Sequence, residues 1–185
     1  AVIEEMLKKA THITILDHHK SAHLDLIGLT APNFNPIFDM ERSGAQMAFD
    51  YASAGLGKRP TLIDHIGDRD LWKFKLPRTK EIAAAVFSYP YDFKVWDTLM
   101  VMPIDDLADE GSHILRKHRL DVEGILKSST RPMNISGHVI AAANAPYMFA
   151  SDVANELAKG AAFGVAYHDT STHRVFSLRS DEAGE

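Results

Sequence analysis

The chain has 185 residues, of which 45% are hydrophobic and 24% charged, which is ordinary globular usage and enough for one large domain or two small ones. A net charge of −5 excludes the overall basic surface that binds long duplex nucleic acid. The absence of cysteine excludes disulfides and thiolate metal sites, and no apolar run approaches the roughly 20 residues of a membrane helix. We therefore expect a cytoplasmic protein without a membrane partner.

The amino-terminal half predicts helices arranged around one short buried strand. The strand covers residues 13–16, and a loop rich in Pro and Asn is expected around residues 32–36. Ser43 is well placed to cap a helix, and Gly55 and Gly57 are stop signals beyond its other end. The predicted helices of this half cover residues 2–10, 43–54, 61–67 and 79–88.

The carboxyl-terminal half opens with the clearest helix signal in the chain. Pro103 suits the first turn of a helix, and apolar residues recur at helical spacing as far as Leu126. The elements predicted after it are a strand at 138–143, a capped helix at 151–158 and a hairpin with strands at 163–167 and 175–178. The pattern predicts an α/β protein with domains at 1–102 and 131–185, joined by a helix at 103–130.

The most informative segment is Asp17-His18-His19, which ends the first predicted strand abruptly. Open α/β folds bind their ligands at the carboxyl ends of strands. Imidazole and carboxylate groups are ligands for Mn²⁺, Zn²⁺ and Fe²⁺, and an Asp can also orient a ring from behind. Neighbouring residues at a strand end point to opposite sides, so we expect His18 and His19 to have different functions. The alternative is that both are ordinary polar residues of a turn.

This triplet and three later motifs resemble the DHH phosphoesterase superfamily. The later motifs are Asp39 to Ala48, Asp68 to Trp72, and Val175 to Ser180. Four motifs in the family's order, spread over most of the chain, make the resemblance specific. It implies a partial Rossmann-like DHH domain with a parallel sheet, a long connecting helix, and a smaller α+β DHH-associated domain that binds substrate.

The resemblance also implies roles for the residues of the metal site. In the family the first His of the triplet ligates metal and the second contacts the scissile phosphate, which corresponds to His18 and His19 here. Asp17 would help to hold them. The family's later metal ligand corresponds to Asp70, with Asp68 as the second choice.

Substrate binding is expected from basic residues near the carboxyl end. Arg179 and Ser180 match an Arg-Ser element of the DHH-associated domain, and an Arg fork can hold a phosphate at two points. The alternative is an exposed Arg at a strand end. Lys75, Arg78 and Lys80 are expected to form a solvated charged face, with attraction of phosphate as the alternative.

Two parts of the family pattern have no match in this chain. These are the Asp-rich metal motifs that precede the triplet and a Gly-rich motif with a His at the carboxyl end. The chain starts at Ala1 and stops at Glu185, so we expect a fragment of a longer enzyme. We expect it to be inactive by itself, because the two remaining ligands cannot hold a two-metal site.

The function implied by the resemblance is two-metal hydrolysis of phosphoesters, with Mn²⁺ as cofactor and Mg²⁺ or Co²⁺ as substitutes. The expected substrates are short oligonucleotides, nucleotide phosphates or cyclic dinucleotides. One alternative is an exopolyphosphatase or pyrophosphatase, and another is a non-catalytic nucleotide-binding module. The expected partners are a small phosphate-containing substrate or a short single strand of nucleic acid, and a homodimer is compatible with the sequence.

Overall fold

The computed structural model describes residues 2–180, which form a mixed α/β structure with two compact units. The first unit ends at Leu115 and the second begins at Arg116. The α/β class predicted from the sequence is confirmed, whereas the domain limits at 102 and 130 stay predictions, and residues 181–185 of the predicted second domain lie outside the described residues. Among residues 2–180, no helix has both the length and the apolar character needed to cross a membrane.

The first unit surrounds a two-stranded parallel sheet with helices. Strands β1 (Ile13–Asp17) and β2 (Phe34–Phe38) pair in register, so that Ile13 lies beside Phe34 and Asp17 beside Phe38. The helices are α1 (Val2–Leu7), α2 (Lys20–Leu26), α3 (Gly44–Ala52), α4 (Thr61–Asp70), α5 (Thr79–Val86), α6 (Phe93–Val101) and the first part of α7 (Ile104–Ser129).

Strand β2 stands where the sequence predicted a loop, and that prediction was wrong. Pro36 lies opposite Ile15 within the parallel pair. In the described part of the chain β1 is the neighbour of β2 on one side only, so the missing Pro N–H falls on an edge strand, where it is tolerated. The aromatic and branched side chains of Phe34, Ile37 and Phe38 supply the strand character.

Side-chain caps fix the starts of two helices in the first unit. The Ser43 hydroxyl accepts the Gln46 N–H at 3.3 Å, and Gln46 Oε1 accepts the Ser43 N–H at 3.0 Å. This reciprocal pair is a capping box, and it confirms the predicted start of α3. Asp92 caps α6, which was not predicted, by accepting the Lys94 N–H at 2.9 Å.

The core of the first unit lies between α4, α5, α6 and the start of α7. Its most buried hydrophobic side chains are those of Leu62, Ile82, Ala85, Val86, Leu99, Leu107 and Ala108. Helix α7 approaches α5 closely at Gly111, where any Cβ atom would overlap the Glu81 carbonyl oxygen. A glycine is therefore required at this contact for steric reasons.

The second unit is a four-stranded sheet with α8 (Ala150–Ala158) packed against it. The strand order is β3 (Thr130–Ile135), β4 (His138–Asn144), β5 (Gly164–Asp169), β6 (Arg174–Arg179), with only the central pair parallel. The predicted hairpin is confirmed as β5 and β6. A short 3₁₀ turn (Tyr147–Phe149) precedes α8, whose first turn has no side-chain cap at Phe149, so the predicted capped start at Ser151 was wrong.

Candidate metal centre

The Asp17-His18-His19 segment lies at the carboxyl end of β1, as the sequence predicted. Asp17 is the last residue of the strand and pairs with Phe38, the last residue of β2. The next amide along, that of Asp39, donates to the Asp17 carbonyl oxygen at 3.1 Å. The triplet and the motif that begins at Asp39 therefore share one edge of the parallel sheet.

One carboxylate oxygen of Asp17 organises the triplet. Asp17 Oδ1 accepts the His18 N–H at 2.7 Å and the His19 N–H at 3.2 Å, and it lies 2.7 Å from His19 Nδ1. Burial raises the pKa of Asp17, but its hydrogen bonds with His19 and His18 outweigh burial and hold that pKa below its ordinary value. Because an ionised carboxylate only accepts, His19 Nδ1 carries a proton in this contact and Nε2 is left for another partner.

The two imidazoles occupy different environments. The His18 side chain is 11% exposed and that of His19 is 68% exposed. Their rings meet edge to face, with centroids 4.5 Å apart and planes at 81°. His18 Nε2 lies 3.6 Å from Asp70 Oδ2, whereas His19 contacts Asp17. The different surroundings of the two rings agree with the expectation that His18 and His19 have different functions. The functions themselves, metal binding by His18 and phosphate contact by His19, stay predictions.

The structure distinguishes Asp70, the first choice for the later metal ligand, from Asp68, the second choice. Asp70 ends α4 and presents a 47%-exposed side chain beside His18. Asp68 is buried, and its carboxylate accepts the Lys75 N–H at 2.8 Å, the Leu76 N–H at 3.0 Å and the Thr79 hydroxyl at 2.7 Å. Asp68 is therefore committed to its own loop, and Asp70 is the carboxylate that the structure brings to the triplet.

The segment after Asp70 holds two aromatic side chains in a strained backbone. Trp72 has φ 55° and Phe74 has φ 47°, a region that costs a side-chain-bearing residue about 1–2 kcal/mol. The Asp68 carbonyl accepts the N–H groups of Lys73 at 2.9 Å and Phe74 at 3.3 Å, which fixes this conformation. Trp72 is 48% exposed and meets the Phe74 ring edge to face at 5.0 Å. In this conformation Trp72, two residues after Asp70, has a half-exposed indole.

A chain of ion pairs links the strand edge to α4. Arg42 Nε donates to Asp39 at 2.6 Å and Nη1 to Asp50 at 3.0 Å, and Arg59 bonds Asp50 at 2.8 Å and Asp64 at 2.8 Å. Burial raises the pKa of Asp50, but the two guanidinium groups outweigh burial and lower it. The sequence alone did not predict this network: its partners lie within nine residues of one another in the chain, but they belong to different elements, and their pairing depends on how the loop at Arg59 is placed against α3 and α4.

The predicted substrate-binding residues lie in the second unit, at the end of β6. Arg179 Nη2 donates to Ser151 Oγ at 2.8 Å and Nη1 to the Leu178 carbonyl at 2.7 Å. Both Arg179 and Ser180 are exposed. A guanidinium has five N–H donors, so Arg179 retains donors for a ligand after these two contacts.

The basic residues around the start of α5, Lys75, Arg78 and Lys80, differ in their contacts. Arg78 pairs with Asp109, and the Lys80 ammonium lies 4.8 Å from the centre of the Phe74 ring. Lys75 forms no ion pair or hydrogen bond through its ammonium group with any residue between 2 and 180. The solvated charged face expected for these three residues stays a prediction.

The ligand-type atoms of Asp17, His18 and His19 all lie within 4.8 Å of one another, close enough to share one ion.

The chain is 30% identical over 186 aligned positions to an uncharacterized protein of Acanthamoeba polyphaga mimivirus, an alignment that covers 98% of this chain and 42% of that protein. The chain therefore spans less than half the length of this relative. No family model matches the chain. No solved structure matches it either.

Proposed function

We propose that this chain is part of a metal-dependent phosphoesterase of the DHH type. The observation that carries the proposal is the approach of His18 Nε2 to Asp70 Oδ2, at 3.6 Å, beside Asp17 and His19. Metal–ligand bonds of about 2.0–2.2 Å place neighbouring ligand atoms on one ion about 3–3.5 Å apart. The two side chains come from different elements, and their 3.6 Å separation is slightly longer than this spacing, so a small side-chain movement would let both bind one ion.

The proposed cofactor is Mn²⁺, for which Mg²⁺ or Co²⁺ could substitute. The donors here are imidazole nitrogen and carboxylate oxygen, a set that suits Mn²⁺, and the chain has no cysteine that would favour a softer metal. A pair of such ions, when bound, supplies an activated water and stabilises charge during in-line attack on phosphorus.

The three residues of the triplet have different proposed roles. His18, together with Asp70 of α4, would hold the ion. Asp17 fixes the His19 ring through Nδ1, which leaves Nε2 of the exposed His19 to donate to a non-bridging oxygen of the scissile phosphate when the ring is protonated. Asp17 is a positioning residue in this scheme, and His19 is the catalytic residue that stabilises developing negative charge.

The substrates that we propose are short oligonucleotides, nucleotide phosphates or cyclic dinucleotides. The half-exposed Trp72, two residues after Asp70, supports a substrate with a base, because bases stack on exposed aromatic rings. Polyphosphate and pyrophosphate have no group that needs such a ring and are the second choice. A cytoplasmic location, the parallel sheet as part of a Rossmann-like DHH domain and the second unit as its associated domain belong to the same proposal.

The test is hydrolysis by the natural full-length protein of a 5′-phosphorylated dinucleotide, with pyrophosphate and short polyphosphate assayed in parallel. We expect release of mononucleotides in Mn²⁺, loss of activity in excess EDTA and recovery after Mn²⁺ is restored. An undiminished rate in EDTA would overturn the proposal. Hydrolysis of polyphosphate alone would favour the second choice, and tight nucleotide binding without hydrolysis of any of the three substrates would favour a non-catalytic module.

A further inference from the structure

A separate cavity of about 540 Å³ lies in the first unit, bordered by α4, α5, the start of α7 and the loop that ends at Arg78. His65 and Asp68 of α4 line it. None of Asp17, His18, His19 and Asp70 is among the residues that line the cavity, so the candidate metal centre does not account for it.

Two side chains of the cavity wall, those of His65 and Asp68, are joined through the buried Thr79 side chain in a hydrogen-bonded row. The Thr79 hydroxyl donates to Asp68 Oδ2 at 2.7 Å, and His65 Nδ1 lies 2.8 Å from the same hydroxyl oxygen. The Asp68 carboxylate also accepts two backbone N–H groups, which shows that it acts as an acceptor. The Thr79 hydroxyl also lies 3.2 Å from the Leu76 carbonyl oxygen, but its one proton is assigned to the closer Asp68 carboxylate, which can only accept. The Thr79 oxygen then accepts from His65, so His65 Nδ1 carries a proton.

This arrangement determines what His65 can offer a ligand. Burial lowers the pKa of His65, against the opposing charges of Asp68 and Asp64, so the ring is neutral at pH 7. With the proton on Nδ1, Nε2 is an acceptor. Nε2 has no hydrogen-bond partner among residues 2–180. Among these residues the side-chain polar atoms that are both fully buried and without a partner are Trp96 Nε1 and His168 Nδ1. His65 Nε2 is not one of them, so it retains some accessible surface. A side chain that is only 7% exposed thus keeps one open acceptor.

The charged groups of the wall are paired with one exception. Each acid of the wall has a partner. Glu41 pairs with Lys73, and Asp64 pairs with Arg59. Asp68 accepts the hydrogen bonds described above, and Asp105 lies 3.9 Å from Arg78. Lys75 is the cation of the wall that lacks an ion pair within the described residues. An anionic group of a ligand can therefore pair with Lys75 without breaking an ion pair of the wall.

The rest of the wall is largely apolar. Leu71, Leu76, Pro77 and Ile104 contribute to it. A flat ring packs well against aliphatic walls, and a cavity of this volume is within the range of small-molecule sites. The combination of apolar walls, one neutral acceptor and one free cation specifies the chemistry of the ligand: a ring that bears an N–H, joined to an anionic group.

We propose that this cavity binds a nucleoside monophosphate whose base has an imide or lactam N–H. The ring N–H donates to His65 Nε2, the base lies against the aliphatic wall, and the phosphate pairs with Lys75. Binding at this site does not require the phosphoesterase activity, because no residue of the candidate metal centre takes part.

The experiment is calorimetric titration of the 185-residue chain with uridine 5′-monophosphate in EDTA, which keeps the metal centre out of the measurement. In this nucleotide N1 of uracil is bonded to the ribose and N3–H is the single N–H donor of the ring, so 3-methyluridine 5′-monophosphate lacks the proposed contact, and uridine lacks the phosphate. We expect a Kd for uridine monophosphate below about 1 mM. Both analogues should bind at least about five-fold more weakly, which is the effect of one lost hydrogen bond or ion pair.

Two variants separate the proposed contacts. In His65→Asn the amide nitrogen replaces Nδ1 and can still donate to Thr79, but nothing replaces Nε2, so the fold is retained and the preference over the 3-methyl analogue is lost. Lys75→Met removes the preference over uridine, whereas Lys94→Met, at an exposed position of α6, leaves both preferences intact. Failure of uridine monophosphate to bind at 1 mM, or an unchanged preference in His65→Asn, would overturn the proposal.

The tautomer gives a second measurement that needs no ligand. In ¹⁵N spectra of the imidazoles at pH 7, the signals that disappear in His65→Asn should be those of a ring protonated at Nδ1 only. A ring protonated at Nε2, or at both nitrogen atoms, would contradict the hydrogen-bond row and remove the acceptor on which the site depends.

Discussion

At the scale of single residues, Asp68 and Asp70 have similar sequence contexts and different surroundings. Asp70 is half-exposed beside His18, and Asp68 is buried with three donors around its carboxylate. The sequence favoured Asp70 through a family resemblance, but it could not show what Asp68 does. The partners of Asp68 are residues of the loop that follows, and their contacts depend on the path of that loop.

The two aspartates should respond differently to mutation. We expect His18→Ala and Asp70→Ala to lower Mn²⁺-dependent hydrolysis by the full-length protein to near background without a loss of stability. Asp68→Asn should instead destabilise the fold by about 1–3 kcal/mol, because a buried acceptor is replaced by a group that must also donate. Denaturant titration and hydrolysis rates of the same three variants would check this.

The pH dependence of stability adds a further check on Asp68. Burial raises the pKa of Asp68, but its hydrogen bonds to Thr79, Lys75 and Leu76 outweigh burial and lower it. A lowered pKa in the folded state contributes stability that is present above the ordinary Asp value of 3.8 and is lost as the pH falls through the folded-state pKa. The loss of stability on acidification should therefore be smaller in Asp68→Asn than in the wild type, and an equal loss would contradict this account.

Trp72 tests the proposed substrate class at the same scale. If its ring stacks on a base, Trp72→Ala should raise KM for a dinucleotide substrate about ten-fold, since stacking on an aromatic ring is worth about 1–3 kcal/mol. Trp72→Phe should recover part of the loss. Pyrophosphate hydrolysis, if the enzyme supports it, serves as the control that should not respond. An unchanged KM for the dinucleotide would show that the indole is only a surface group.

At the scale of elements, the sequence predicted what local signals specify. The capping box of Ser43 and the apolar spacing of α7 depend on neighbours within a few residues, and both predictions are confirmed. Strands β2 and β3 depend on pairing with β1 and β4, and each contains a proline that locally indicates a loop. Sheet pairing, which joins residues distant in sequence, overrode the local preference in both cases.

Helix α7 offers a matched pair of glycines. A Cβ at Gly111 would overlap the Glu81 carbonyl oxygen of α5, whereas nothing lies within 4 Å of a Cβ built on Gly124. In a helix interior, replacing Gly by Ala gains about 1 kcal/mol from propensity alone. Gly124→Ala should therefore raise the free energy of unfolding by up to about that amount, and Gly111→Ala should lower it by several kcal/mol. Similar effects at both positions would contradict the close approach of α5 and α7.

At the scale of the whole molecule, the chain consists of two units that end and begin within α7. The first contains the triplet, Asp70 and the separate cavity, and the second contains Arg179 at the end of β6. The sequence predicted an α/β protein with a long helix at this place. It could not predict the ion-pair chain of Arg42 and Arg59, which forms where α3 and α4 meet, or the cavity, which forms where α4, α5 and α7 meet.

Arg179 tests the proposed role of the second unit in substrate binding. A guanidinium that holds a phosphate away from the reacting bond binds ground and transition states almost equally. Arg179→Ala should therefore raise KM about ten-fold with a smaller change in kcat, and Arg179→Lys should recover only part, because Lys lacks the two-pronged geometry. Arg119→Ala, at an exposed position of α7, should leave KM unchanged. If Arg179→Ala does the same, the phosphate is held elsewhere.

The central claim is that the carboxyl end of β1 holds a metal ion through His18 and Asp70. The most direct measurement is anomalous diffraction at the manganese edge from crystals of the natural full-length protein grown with Mn²⁺. The account predicts two peaks about 3.5–4 Å apart, one of them about 2.2 Å from both His18 Nε2 and an Asp70 carboxylate oxygen. Absence of a peak at this edge, or a metal bound by Asp68 and not by Asp70, would contradict it.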